Sequence, residues 1–126
     1  MKHSEYELQK SVCNYLNYQY PEVLYLSDTI ASCKLSLPQA VRNKAIQKNG
    51  FKCPDLIILK PMNPFNGLFI ELKIDDIYGK KGKFKSKHIE AQNDTIFELN
   101  KLGYYACFAV GFDQAKRIID EYLYPI

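Results

Sequence analysis

Three charged residues sit in sequence that otherwise forms buried strands. Asp55 opens the apolar run Leu56-Ile57-Ile58-Leu59, and Glu71 and Lys73 close the run Leu68-Phe69-Ile70-Glu71-Leu72-Lys73. Alternate strand residues share a face, so Glu71 and Lys73 point one way and Leu72 the other. Charges on a central strand are costly unless they are paired or bind a metal. Between the runs lie Pro61, Pro64, Asn66 and Gly67, which carry turn chemistry. The connection is short, so the spacing predicts an antiparallel hairpin. A hairpin lays the start of the first strand beside the end of the second and brings Asp55 to Glu71 and Lys73. Two carboxylates and an amine in one place suit phosphate chemistry. Asp55 and Glu71 offer hard oxygen ligands for Mg²⁺, which polarises a phosphate and acidifies a water. Lys73 can orient that water or offset charge developing on the phosphate. The plainer alternative is a structural salt bridge from Lys73 to Glu71 or Asp55 at an exposed strand end.

The elements that must hold these residues can be read around them. Ser4 and Glu7 have capping-box spacing, and Leu8, Val12, Tyr15 and Leu16 fall on one face of the helix that follows, which Pro21 stops. Val23 to Ser27 has strand character, and Asp28 to Leu35 reads as a loop or irregular edge. A second helix is expected from about Pro38, capped by Ser36, to about Lys48, with Asn49-Gly50 as its left-handed stop. The run Leu56 to Leu59 has no polar face and is expected to be buried on both sides. A third helix spans about Lys87 to Leu102, with Ile89, Ile96, Leu99 and Leu102 inward and Gly103 as its stop. Tyr104 to Val110 is a further strand. Asp113 is the expected cap of a last helix, striped by Ala115, Ile118, Ile119 and Tyr122. The order predicts an α/β fold, a mixed sheet with helices on both faces, in one domain over residues 1–126.

Composition is compatible with this reading. The 126 residues are 47% hydrophobic and 25% charged, close to a soluble globular average. No apolar run approaches the ~20 residues of a membrane span, and the N-terminal segment lacks an apolar signal region. A cytoplasmic setting is the default expectation. Cys13, Cys33, Cys53 and Cys107 form no C-x-x-C pair, and neither His3 nor His88 stands at ligand spacing from them, so the pattern does not suit structural zinc. The net charge is +3, yet Lys80, Lys81, Lys83, Lys85 and Lys87 crowd one short segment. Such a run is either a solvated loop or a phosphate-contacting one. Phe84 within it can wedge or stack, or merely anchor the loop, and Gly79 and Gly82 suggest mobility.

The core motif, Pro54-Asp55 followed by Glu71-Leu72-Lys73, resembles the PD-(D/E)xK nuclease signature. Further segments look like its VRR-Nuc branch, whose stand-alone members resemble Holliday-junction resolvases. Glu5-Tyr6-Glu7-Leu8-Gln9 resembles its E-x-x-x-Q helix opening, and Asn49 to Leu56 its glycine-containing approach to the P-D strand. Gly67 to Lys73 is similar to its G-L-x-x-E-x-K strand. Ser86, Gln92, Leu99 and Gly103-Tyr104 resemble its S-x-x-Q helix and L-x-x-x-G-Y ending. The sequence departs from the pattern in two places. Ser86 to Gln92 is longer than S-x-x-Q, and Cys53 stands where a small residue is usual.

The resemblance implies a restriction-endonuclease-like fold and a role for each matching residue. Asp55 and Glu71 become the main metal ligands, with the backbone carbonyl of Leu72 as a further one. Glu5 reaches the metal directly or through water, and Lys73 is the catalytic lysine. Gln92 positions metal, water or phosphate. Plainer roles stand beside these: Glu5 as a helix-dipole partner, Gln92 as an ordinary helix glutamine, and Asp75 as a solvated strand end rather than an extra ligand. The implied activity is a Mg²⁺- or Mn²⁺-dependent DNA endonuclease with no organic cofactor. It would select branched, flap or junction DNA, as a homodimer, in a bacterial or phage-infected cell. The competing reading is a catalytically silent nuclease-fold module that binds nucleic acid or a protein partner.

Overall fold

The structure is a computed structural model that describes residues 3–28 and 34–124. Helix α1 spans His3–Gln19 and leads through a turn to strand β1, Tyr25–Ser27. Helix α2 is Leu37–Ile46, and strands β2 and β3 are Leu56–Ile58 and Leu68–Lys73. A short 3-10 turn at Lys80–Gly82 precedes helix α3, Lys87–Lys101, strand β4, Tyr105–Val110, and helix α4, Gly111–Leu123. The expected order of elements is therefore the observed one. The Ser4 cap and Cys33 lie outside the residues whose side chains are described.

The sheet runs β1-β2-β3-β4. The first two pairings are antiparallel, with Leu56 opposite Ile70 and Ile58 opposite Leu68 across the hairpin. The last, β3 with β4, is parallel. A parallel neighbour needs a crossover, and α3 supplies it. The fold is α/β, with a mixed sheet as the periodicity predicts.

Strand parity decides what each face buries. Leu56, Ile58, Leu68, Ile70, Leu72 and Ala109 face α1 and α4, where they meet Val12, Leu16, Ala115, Ile119 and Tyr122. Each aliphatic side chain buried here contributes roughly 1.5–3 kcal/mol. On the other face α3 places Ile96 and Leu99 against Ala106, with Phe69, Tyr104 and Phe108 packed around them. Glu71 shares the parity of Phe69 and so points to the α3 side.

Several local expectations need correction. Helix α2 begins as expected, with a full capping box between Ser36 and Gln39. It ends at Ile46, before the expected stop, because Gln47 is already extended. Gly50 instead turns the chain three residues later at φ 80°, inside a turn closed by the Phe51 N–H on the Lys48 carbonyl. Strand β2 is not sealed on both sides. Leu56 and Ile58 are buried, Ile57 is half-buried and Leu59 is exposed, because pairing stops at Ile58. Leu102 is exposed at the end of α3, and Gly103 at φ 93° makes the expected stop. Asp113 does not cap α4. The Gln114 side chain accepts from the Val110 N–H at 2.6 Å in its place.

Candidate active site

The hairpin register builds the site. One step beyond the Leu56–Ile70 pair, Asp55 stands opposite Glu71. Each acid is then held by the other strand's main chain. The Asp55 N–H donates to Glu71 Oε2 at 3.0 Å, and the Leu72 N–H donates to Asp55 Oδ2 at 2.9 Å. From the α3 side, Gln92 donates its side-chain amide to Glu71 Oε1. Gln92 is thus no exposed helix glutamine; it is buried, and its Oε1 is a buried acceptor without a donor among the described residues.

Electrostatics mark the pair as unusual. Burial, then the charge of Asp55, pushes the Glu71 carboxyl up to about 8, against a partial pull downward from Lys73. Asp55 is also raised, chiefly by burial, although the Leu72 N–H and Lys73 favour its ionised form. Two acids so close and so dry do not both ionise freely without a cation. Lys73 is half-buried and makes no salt bridge among the described residues, where the ion pairs are Lys101–Glu98 and Lys116–Asp120. The salt-bridge explanation of the E-x-K motif therefore has no geometric support.

A cleft of about 1070 Å³ opens over the pair. Asp55, Glu71, Leu72, Lys73, Gln92 and Glu5 all line it. Glu5 is exposed, and its charge reaches Asp55 without forming a close carboxylate cluster. Among the described residues no three His, Cys, Asp or Glu side chains gather as a metal site. The available donors are two carboxylates, the unpartnered amide oxygen of Gln92 and main-chain carbonyls. That all-oxygen set suits a hard cation that keeps several of its waters. Asp75 is exposed beyond the end of β3, as a solvated strand end would be.

Gln9, the last residue of the E-x-x-x-Q segment, ties the site together from α1. Its amide donates to Ser27 Oγ at 2.6 Å and to the Asp28 carbonyl at 3.1 Å. The Ser27 hydroxyl in turn donates to the Asp55 carbonyl at 3.0 Å. His88, one helical turn before Gln92, also lines the cleft. Its imidazole, though exposed, loses part of its solvation against the cleft wall; this and the charges of Lys73 and Lys52 lower its pKa. Position four residues ahead of Gln92 is a signal that helical periodicity offers for it.

The five lysines between Gly79 and His88 are exposed and do not line the cleft. Their loop is a closed clasp. Phe84 stacks on Tyr78 at 5.3 Å between ring centroids, and the Gly79 and Lys85 N–H groups bond the Lys83 and Ile77 carbonyls. Phe84 is a loop anchor. The basic residues that do line the cleft are Lys44, Lys48, Lys52 and Lys73. Sequence reasoning missed the first three, although no acid occurs between Asp28 and Asp55 while Lys34, Arg42, Lys44, Lys48 and Lys52 do.

No family model matches this chain, and no curated protein resembles it at a significant level. A solved structure described as a VRR_NUC domain protein superposes with a TM-score of 0.63 at 26% identity. The match covers 94% of this chain and 87% of the other. Over nearly its whole length this chain is similar in structure to a VRR-Nuc domain. It has the α/β architecture that the sequence pattern predicts, and shares that fold with the VRR-Nuc structure. Among its described residues no helix is long and apolar enough to cross a membrane.

Proposed function

We propose that this VRR-Nuc-like domain, acting as one unit over residues 1–126, is a Mg²⁺- or Mn²⁺-dependent DNA endonuclease of the PD-(D/E)xK type. The observation that carries the reading is the Asp55–Glu71 pair, half-buried and buried respectively, cross-held by main-chain N–H groups beside an amide oxygen unpartnered among the described residues. Asp55, Glu71 and the Leu72 carbonyl would hold the cation, with Glu5 reaching it through water from the cleft mouth. When bound, such a cation supplies Lewis-acid polarisation of the scissile phosphate.

The chain's own groups do the remaining work. Gln92 fixes Glu71 in place, and its unpartnered oxygen would be a further donor for the cation. Lys73, in no ion pair among the described residues, orients the attacking water and offsets charge on the pentavalent phosphorus oxygens. Gln9 and Ser27 keep the start of β2 fixed against α1. The exposed lysine clasp, Lys80, Lys81, Lys83, Lys85 and Lys87, contacts flanking duplex phosphates without reading bases. A fold this small has little surface for sequence readout, which favours branched, flap or junction DNA in a cytoplasmic setting. A symmetric homodimer offers two such sites for two strands.

The test is a cleavage panel of single-stranded, duplex, flap and four-way DNA with Mg²⁺ or Mn²⁺. Wild type should cut a branched substrate, and Lys73→Ala should not. Failure of wild type to cut any substrate, or full cutting by Lys73→Ala, would overturn the proposal.

A further inference from the structure

The cleft is one-sided in charge. Its acids come from α1, the end of β1 and the β2–β3 hairpin, whereas three of its four lysines come from one short stretch, Lys44, Lys48 and Lys52. That stretch sits inside the longest part of the chain without Asp or Glu, from residue 29 to residue 54. Nothing nearby in sequence neutralises it, and among the described residues none of the three lysines makes a salt bridge.

The wall is built rather than loose. Lys44 lies in the last turn of α2, where the helix dipole favours a cation. The Gln47 amide donates to Asn43 Oδ1 at 3.1 Å, which aligns two polar side chains along the same cleft-facing edge. The turn at Gly50 then reverses the chain, and the Lys52 N–H donates to the buried Thr95 hydroxyl at 3.0 Å. That last bond pins the wall to α3, the helix that carries Gln92. Between Lys48 and Lys52, Phe51 is 40% exposed and lines the cleft. An aromatic ring left in water beside phosphate-binding lysines offers a stacking platform, which duplex bases cannot reach but unpaired bases can.

We propose that residues 43–52 form the wall that holds an unpaired stretch of the substrate strand, with Lys44, Lys48 and Lys52 on its phosphates and Phe51 against a base. The proposal rests on the nucleic-acid reading above and adds to it the part of the substrate that enters the cleft. Cutting then requires an unpaired stretch in the cleft, as where a strand leaves its duplex, so that a base can meet Phe51 while the backbone meets the Asp55–Glu71 pair.

Binding can be measured apart from cutting. Fluorescence anisotropy in EDTA would compare a blunt DNA duplex with the same duplex carrying a single-stranded tail, across a salt series. Wild type should prefer the tailed DNA. The variant K44A/K48A/K52A should weaken tailed-DNA binding at least tenfold. It should also lower the steepness of log K against log salt by about 2, three contacts at roughly 0.7 each for a single strand. F51A should remove the preference for the tail, a loss of roughly five- to a hundredfold, and leave blunt-duplex affinity unchanged. All four positions are exposed, so unchanged melting curves are expected to verify folding. An unaltered salt slope in the triple variant, an unaltered tail preference in F51A, or no tailed-DNA binding by wild type would each overturn the proposal. A protein that binds in this pattern yet cuts no DNA would sink the nuclease reading alone.

Discussion

Ionising Glu71 in the metal-free protein should work against the fold, by an amount that the structure sets. Glu71 is 5% exposed, and burial together with Asp55 raises its carboxyl from the ordinary 4.5 to about 8. Below about pH 4.5 both folded and unfolded chains hold the proton, and no penalty acts. Between about 4.5 and about 8 the unfolded chain loses the proton while the folded one keeps it. Stability therefore falls as pH rises, by roughly 1.4 kcal/mol per pH unit, and levels off above about 8. The full loss is on the order of 4–5 kcal/mol. At roughly 4 °C per kcal/mol for a chain of this size, Tm should drop by about 15 °C between pH 5 and pH 8.5.

Glu71→Gln removes the charge and keeps the contacts. The Asp55 N–H retains an acceptor oxygen, and a flip of the Gln92 amide turns its unpartnered oxygen toward the new N–H. The assay is thermal melting by circular dichroism in EDTA from about pH 5 to pH 9. Wild type should lose stability with rising pH. Glu71→Gln should stay nearly flat and become the more stable protein above about pH 7. Mg²⁺ at pH 8.5 should restore wild type and leave the variant where it was, because only the ionised pair binds the cation. Parallel curves for the two proteins would refute the argument that this carboxyl is held neutral by its surroundings.

Three further outcomes can be checked independently. Lys73→Ala should slow cleavage by about 10²-fold or more, yet shift Tm by less than about 2 °C, since this lysine makes no salt bridge among the described residues. Gln9→Ala breaks the tie from α1 to Ser27 and should cost about 1 kcal/mol by urea unfolding, with a lower cleavage rate as Asp55 loosens. Gly103→Ala places a methyl group 2.8 Å from Asn66 Nδ2 at φ 93° and should cost roughly 1–3 kcal/mol in the same assay.

The fold was legible wherever one local rule acted alone. Alternation separated the core face of β3 from the face of Glu71, and the Pro–Asn–Gly connection gave away the hairpin. Where two rules competed, the sequence was ambiguous. Asp113 and Gln114 both offer α4 a side-chain oxygen, and the longer one reaches the Val110 N–H. Asn49-Gly50 reads as a helix stop, but the polar run before it leaves α2 with no buried residue to extend the helix that far. Within the site, Asp55, Glu71 and Gln92 assemble as the motif pattern suggests. The basic wall escaped notice for a physical reason: five lysines in one clasp drew attention to local density, whereas Lys44, Lys48 and Lys52 act through an absence of acids that only a longer window shows.

The cross-strand bonds of the two acids have a consequence for how this domain can vary. Each carboxylate is gripped by the main chain of the opposite strand, so the pair exists in a single alignment of the hairpin. A slip of β2 by one residue would turn Asp55 toward Val12, Leu16 and Ile119, swing Leu56 and Ile58 out of the core, and leave Glu71 without its partner. No half-working, misaligned species can then accumulate: competence for chemistry and correctness of folding are one event. Insertions in the 59–67 connection that keep the strands in step should accordingly be tolerated freely, while a single deletion inside β2 should abolish both at once.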